Sequence, residues 1–137
     1  MFSNTTRRLI EWGDCDPAGI VFNPKFFVYF DHCTAQLYLA AGFSRSTMLE
    51  DFGAVGAPVV KTGAEFYVPS TFGEEVAITS TVTRVGTSSF DVTHRLEKDG
   101  VLRVEGKETR VWTLRDPDSG NLVSAPLPEP LAKVFRG

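Results

Sequence analysis

Cysteine is scarce in this 137-residue chain: Cys15 and Cys33 are the only two. Two thiols cannot build the multi-bridge framework of a small secreted domain, and no C-x-x-C pair suggests a metal site. Long apolar runs are missing as well. No stretch approaches the ~20 residues that a membrane-spanning helix needs, and the polar opening Met1 to Arg8 lacks the apolar core of a signal peptide. The expected address is therefore the cytoplasm, with no membrane partner. Nor is there an excess of positive charge, since 14 Lys and Arg stand against 17 Asp and Glu, a net charge of −3. Binding a phosphate backbone requires a concentrated basic field, so nucleic acid is excluded as the main partner. A small anionic ligand held by a few local Arg or Lys residues is not. Repeats, linkers and low-complexity tracts are absent, and the length suits one compact domain over residues 1–137.

Apolar and aromatic residues are plentiful. They make up 42% of the chain and include 11 Phe, which suits a core or a ligand cavity built around rings. Arg7 to Trp12 reads as a short strand. Gly13 to Gly19 then breaks regular structure with Pro17 and two glycines. Asn23 followed by Pro24 is a helix-start signal, because an Asn side chain caps a free N–H and Pro is tolerated at the first helical position. From Pro24 to Ala41 no Gly or Pro interrupts the pattern, and Gly42 sits where a left-handed cap belongs. Phe26, Phe27, Phe30, Cys33, Leu37 and Ala41 recur at helical spacing, while Tyr29 and Tyr38 widen the apolar coverage. A helix apolar on most sides is buried. A second short helix is expected over Ser46 to Phe52, ending at Gly53.

The remainder changes character. Ala57 to Val68, Glu75 to Val85, Ser88 to Glu97 and Val101 to Leu114 are rich in Val, Thr and Phe and read as strands. Val76, Ile78 and Val82 share one parity, as do Phe90, Val92 and Leu96. Asp99-Gly100 is a tight-hairpin signal, because both central residues of that turn take positive φ. Asp116 to Gly120 is a polar turn, and Leu131 to Phe135 adds a last helical turn after Pro126, Pro128 and Pro130. The class is α+β, with one strand, a long buried helix and four mainly antiparallel strands. One helix on one sheet leaves edges and a face to cover, which predicts an oligomer.

Chemistry concentrates in Asp14-Cys15-Asp16-Pro17-Ala18-Gly19, the loop that feeds the long helix. Pro17 stiffens it, and Gly19 lets backbone approach a ligand closely. The following helix start offers unpaired N–H groups and partial positive charge. A carboxylate beside such a terminus suits acyl transfer: the N–H groups hold a developing oxyanion while the carboxylate attacks or directs water. The plainer alternative is that these Asp and Gly residues only shape a turn.

The stretch from Ile10 to Asp31, with D-C-D-P-A-G-I-V and then x-x-P-x-aromatic, resembles the 4-hydroxybenzoyl-CoA thioesterase family. The likeness runs on more loosely through Gly56 to Val60 and the β-rich remainder. It implies a hot-dog fold, a long central helix wrapped by a five-stranded antiparallel sheet. Subunits would pair edge to edge with active sites at their interface, a dimer of dimers being the expected assembly. It implies an acyl-CoA thioesterase acting on an aromatic, hydroxybenzoyl-type acyl-CoA. Asp16 would be the catalytic carboxylate and Asn23 would supply the backbone N–H that polarises the thioester carbonyl. Gly19, Phe26 and Asp31 would meet the substrate, Asp31 toward a ring hydroxyl, with pairing to an Arg or Lys as its other reading. No cofactor or metal is implied, coenzyme A being part of the substrate. The chain departs from the family pattern at Asn23, where an aromatic is usual, and at Arg84 to Ser89, where relatives carry a basic cluster. Arg84, Arg95 and Arg110 are the candidates for the CoA phosphates, with solvated surface charge as their other reading.

Three rival functions remain in view. A short-chain aliphatic acyl-CoA or acyl-carrier-protein thioesterase would share Asp16. A dehydratase would need a His beside an acid, yet His32 and His94 lie outside the loop, His32 on the helix exterior and His94 as a structural strand residue. A non-catalytic acyl-CoA binding module would bind without cleaving. Cys15 lacks a nearby His to activate it as a nucleophile.

Overall fold

The computed structural model describes all 137 residues. Strand β1 (Ser3–Leu9) is followed by a 3-10 turn over Trp12–Asp14, the long helix α1 (Asn23–Ala40) and the short helix α2 (Arg45–Phe52). Then come β2 (Ala54–Gly56), β3 (Val59–Phe66), β4 (Glu75–Val85), β5 (Ser89–Lys98) and β6 (Val101–Val111). The chain ends with β7 (Thr113–Arg115), β8 (Leu122–Ser124) and helix α3 (Glu129–Arg136). Five strands form one antiparallel sheet in the order β1-β4-β5-β6-β3, and β2, β7 and β8 form a small second sheet. This is the α+β hot-dog arrangement that the resemblance implied, with α1 packed against the five-stranded sheet.

Strand parity sets the inner face. Val76, Ile78 and Val82 of β4 and Phe90, Val92 and Leu96 of β5 are all buried, as their alternation requires. Ile78 lies opposite Leu96, and Val82 opposite Val92. Asp99 and Gly100 take φ of 51° and 77° and close the β5–β6 hairpin as expected. Bulges at Val82/Arg84, Leu96/Glu97 and Val59/Lys61 add local twist to the strands they interrupt.

The core divides into two apolar halves. One holds Ile10, Val21, Phe26, Tyr29, Phe30 and neighbours; the other holds Leu37, Val82, Phe90, Trp112, Leu131, Phe135 and neighbours. Between them runs a polar row. Ser80 of β4 lies opposite His94 of β5, which lies opposite Gly106 of β6. Thr34 on α1 meets this row from above. Glycine is required at 106, because a Cβ there would run into the ring of Phe30. That ring stacks on His94 at 4.9 Å between centroids.

Several expected boundaries shift. The first strand runs Ser3–Leu9 rather than Arg7 to Trp12, since pairing with β4 extends it through a polar stretch that propensity does not mark. The strand expected over Ala57 to Val68 runs only over Val59–Phe66, starting after Pro58, which lacks an N–H and restricts the residue before it, and the short β2 ahead of it was not expected. The Val101 to Leu114 strand leaves the main sheet at Trp112, whose N–H donates to the Ser88 carbonyl at 2.7 Å, and resumes as β7. Strand β8 was not expected, and α3 is a full 8-residue helix. Helix α1 is also less enclosed than its composition suggested. Its Phe26, Tyr29, Phe30, Cys33, Thr34, Leu37 and Tyr38 are buried, whereas Val28 and Leu39 stand exposed on the opposite side.

Candidate active site

The loop between the 3-10 turn and α1 folds back on itself as a miniature hairpin. Phe22 N–H donates to the Asp14 carbonyl and Asp16 N–H to the Ile20 carbonyl, both at 2.9 Å, and Cys15 bridges Val21 between them. The tip is a turn in which Gly19 N–H donates to the Asp16 carbonyl at 2.9 Å. Gly19 has φ of 82°, a left-handed conformation that a side chain would strain. The sequence dictates this tip: Pro17 presets the turn's second residue, and Asp16 Oδ1 accepts from Ala18 N–H at 2.8 Å.

The two loop carboxylates have different employment. Asp14 is buried; its Oδ2 accepts from Glu11 N–H at 3.1 Å and faces Arg8 Nη2 at 3.8 Å. Arg8 in turn covers the ring of Tyr29 at 4.2 Å. Burial and the neighbouring Asp14 carboxylate push the Tyr29 hydroxyl well above its ordinary range. Asp14 thus builds the loop. Asp16 is half-buried, has no ion pair, and keeps Oδ2 without a partner in the chain. It is the carboxylate left available for chemistry.

Asn23 is the first residue of α1 rather than its cap. Phe22 holds the cap position in extended conformation with no side-chain cap bond. The expected Asn side-chain cap is therefore absent, because the hairpin ladder draws Phe22 into that position. Pro24 has no N–H, and Lys25 N–H turns back to the Phe22 carbonyl at 2.8 Å. Asn23 N–H donates to nothing within the chain. The helix mouth consequently exposes one uncommitted amide with the helix dipole behind it.

A clasp on the neighbouring segment fixes the loop's return arm. Val21 N–H donates to the Ser70 carbonyl at 2.9 Å, and Ile20 bridges Thr71. Arg103 forks onto Glu74 at 2.9 and 3.0 Å and reaches Ser70 Oγ at 3.2 Å, while Glu74 Oε1 accepts from Thr71 N–H at 2.7 Å. These bonds, Arg103 first, hold the Glu74 carboxyl down at about 2 against the smaller upward push of burial. The sequence reading missed this clasp, since nothing local links Glu74 to Arg103.

The other expected residues separate. Phe26 is buried beneath the first turn of α1, its ring against Tyr29 and Phe66. Asp31 lies two turns along α1 with its side chain 73% exposed, and its Oδ1 accepts from Arg110 Nη2 at 2.8 Å. Arg110 overturns the solvated-charge reading, because it is buried on β6. The missed signal was parity: residues 104, 106, 108 and 110 share the buried face of β6. Arg84 and Arg95 do lie at the surface, bonded to Asp91 and Glu105 respectively.

Arg110 ends a buried chain. Its Nε donates to Glu108 Oε1 at 2.8 Å and its Nη1 to the Ala57 carbonyl at 3.1 Å. Glu108 also accepts from the Thr34 hydroxyl and faces His94 Nε2 at 3.4 Å. With Nε2–H directed at that carboxylate, His94 Nδ1 accepts from Ser80 Oγ at 2.7 Å. Burial pushes the Glu108 carboxyl up, but hydrogen bonds from His94, Arg110 and Thr34 outweigh it and bring it to about 2. His94 is thus a satisfied core residue, and His32 is exposed. Neither belongs to the loop, and the one His–acid pair, His94 with Glu108, is buried in the core, so the loop site has no His–acid pair of the kind a dehydratase uses. No three His, Cys, Asp or Glu side chains converge as metal ligands.

Two cavities, of about 640 and 430 Å³, lie on the outer sheet face near Lys61 and Lys107 and beneath α3, and neither borders Asp16. Strand β3 is an open sheet edge, and Val60, Phe66 and Tyr67 stand exposed along and just beyond it. An apolar unpaired edge is what a second chain covers in stable proteins. No helix is long and apolar enough to cross a membrane.

Comparison with known proteins agrees with this fold. Residues 18–105 match the family model described as thioesterase superfamily, a match that begins two residues after Asp16. The chain is 28% identical over 131 residues to the 4-hydroxybenzoyl-CoA thioesterase of Pseudomonas sp. (strain CBS-3), covering 90% of this chain and 92% of that protein. The three-dimensional structure of 4-hydroxybenzoyl-CoA thioesterase from the same strain superposes with a TM-score of 0.88 at 25% identity, over 98% of this chain and 99% of that one. A gentisyl-coenzyme A thioesterase superposes with a TM-score of 0.83 at 27% identity, over 98% and 100%.

Proposed function

The chain belongs to the thioesterase superfamily and is a thioester hydrolase, and from that premise we propose that its substrate is an aromatic, hydroxybenzoyl-type acyl-CoA. Water is added across the thioester, releasing the free acid and the coenzyme A thiol. Asp16 attacks the carbonyl carbon to give a mixed anhydride that water then opens, or it takes the proton of the attacking water directly. As the tetrahedral oxyanion forms, the uncommitted Asn23 amide donates to it, backed by the helix dipole, a contribution of about 3 kcal/mol for one well-aimed donor. The sulfur leaves as thiolate and takes up a proton.

The observation that carries this reading is the division of labour between the two loop carboxylates. Asp14 is spent on structure, while Asp16 is fixed by its own turn and has no cation to neutralise it. Gly19 brings backbone close to the ligand, and Phe26 forms the floor beneath the helix mouth. Asp31, its outer oxygen free, meets the ring hydroxyl. Relatives with named substrates act on 4-hydroxybenzoyl-CoA and gentisyl-coenzyme A, both hydroxylated rings, which supports the aromatic assignment. The working enzyme is a homo-oligomer, with the open β3 edge as the surface left for a second subunit. Pairing of β3 edges would close the site from the second subunit and bury Val60, Phe66 and Tyr67. No cofactor takes part, and the reaction belongs in the cytoplasm, where acyl-CoA is found.

A thiol-release assay across aryl and aliphatic acyl-CoAs, with Asp16→Ala alongside, tests the proposal. Preference for hydroxylated aryl thioesters and loss of at least ~10³-fold in kcat are expected. Faster turnover of aliphatic chains would refute the substrate, and near-normal rates in Asp16→Ala would refute the mechanism.

A further inference from the structure

The pairing of Asp31 with Arg110 is unusual in its anchoring. Asp31 is a surface residue, with its side chain 73% exposed, whereas Arg110 is 10% exposed and rooted in the core. Of the guanidinium's five N–H groups, two point to Glu108, one to the Ala57 carbonyl and one to Asp31. Glu108 is itself gripped by Thr34 and faces His94, which bonds to Ser80. A side chain on the open face of α1 is thus tied, through three strands, to the middle of the sheet. Ordinary surface ion pairs are loosely held and contribute little. This one has a rigid cationic member that cannot follow its partner.

Such anchoring has a chemical consequence. Asp31 Oδ1 is occupied by an N–H donor, so Oδ2 is the oxygen free to meet a ligand, and it can only accept. A lone carboxylate covered by an aromatic ring would lose its hydration with no cation to compensate its charge. With Arg110 behind it, the charge is already compensated when the ring arrives. We propose that Arg110, anchored by the buried Ser80–His94–Glu108 chain, is a positioning residue for Asp31, so that any preference for a hydroxyl-bearing ring over an ether or unsubstituted one depends on Arg110. This rests on the aryl-CoA reading above, with Asp31 facing the ring.

The test compares kcat/KM for 4-hydroxybenzoyl-CoA and 4-methoxybenzoyl-CoA on each of four proteins: the unmodified chain, Asp31→Asn, Arg110→Lys and Glu108→Gln. Both substrates are assayed on one sample, so their ratio does not depend on the fraction folded. The unmodified chain should favour the hydroxyl at least ~10-fold, as a site built to bond a hydroxyl does. Asp31→Asn should bring the ratio near one, and Arg110→Lys should lower it ~10-fold, since Lys cannot fork between Glu108, Asp31 and the Ala57 carbonyl. Equal losses on both substrates in Arg110→Lys, with the ratio kept, would mean a purely structural role and overturn the proposal. If Arg110→Lys yields no folded protein, Glu108→Gln must lower the ratio in its place, and an unchanged ratio there overturns it equally. A ratio near one in the unmodified chain, unmoved by Asp31→Asn, would instead sink the aryl reading beneath it.

Discussion

Asp16 and Glu108 are both carboxylates whose oxygens meet hydrogen-bond donors, but the donors differ in kind. Asp16 is held by backbone, through the Ala18 N–H and the hairpin ladder around it, with one oxygen left over. Glu108 is held by side chains from three elements, Thr34, His94 and Arg110, with nothing left over. Backbone positioning fixes a group without neutralising it. Side-chain pairing neutralises a group and so permits its burial. A reacting carboxylate needs the first arrangement, and a carboxylate in the middle of a core needs the second.

Breaking the buried side should have the largest effect on the fold. Glu108→Ala leaves the Arg110 guanidinium without its core partner, and removal of one member of a buried pair costs about 3–5 kcal/mol. Thermal unfolding should drop by roughly 10–20 °C for a chain of this length. A drop below a few degrees would show that water replaces the carboxylate and that the band is not dry.

The loop side should break in the opposite sense, losing chemistry with its fold kept. Asn23→Pro deletes the amide at the helix mouth, at a first helical position where proline is well tolerated. Phe22 already has the extended φ and ψ of −69° and 126° that a following proline requires. Turnover of the best acyl-CoA should fall ~10²–10³-fold, while far-UV circular dichroism stays unchanged. Activity within a few-fold of the parent would assign the oxyanion donor elsewhere.

Acid should sharpen the contrast by a smaller, graded effect. Glu108 and Glu74 both have carboxyls lowered from an ordinary 4.5 to about 2. A depressed carboxyl contributes stability that is fully present above its unfolded value and is lost as pH falls toward its folded value. Melting temperature should therefore decline from about pH 5 down to about pH 2. The decline should be shallower in Glu108→Gln, which has no proton to take up there. Identical slopes in the two proteins would remove Glu108 from the account.

Legibility followed the range of the interactions. Helix α1, the Asp99-Gly100 hairpin, the inward parity of β4 and β5 and the α2 stop at Gly53 rest on neighbours a few residues apart, and all were readable. The motif from Asp14 to Gly19 was readable for the same reason, since its turn is closed by its own residues. What stayed hidden depends on pairs far apart in the chain: Arg103 with Glu74, Arg110 with Asp31, and β1 extended through Ser3 by its pairing with β4. Arg110 was misjudged because a charged residue in a polar strand is usually solvated, and only the facing elements reveal that it is not.

Local chemistry in the sequence was enough to determine a long helix fed by a stiff, carboxylate-bearing turn and followed by antiparallel strands. Turn geometry, capping and alternation are short-range and leave few choices. The tertiary structure alone decided which carboxylates are spent on architecture and which remain free, because that depends on which distant cation is brought within about 3 Å, where pairing outweighs solvation.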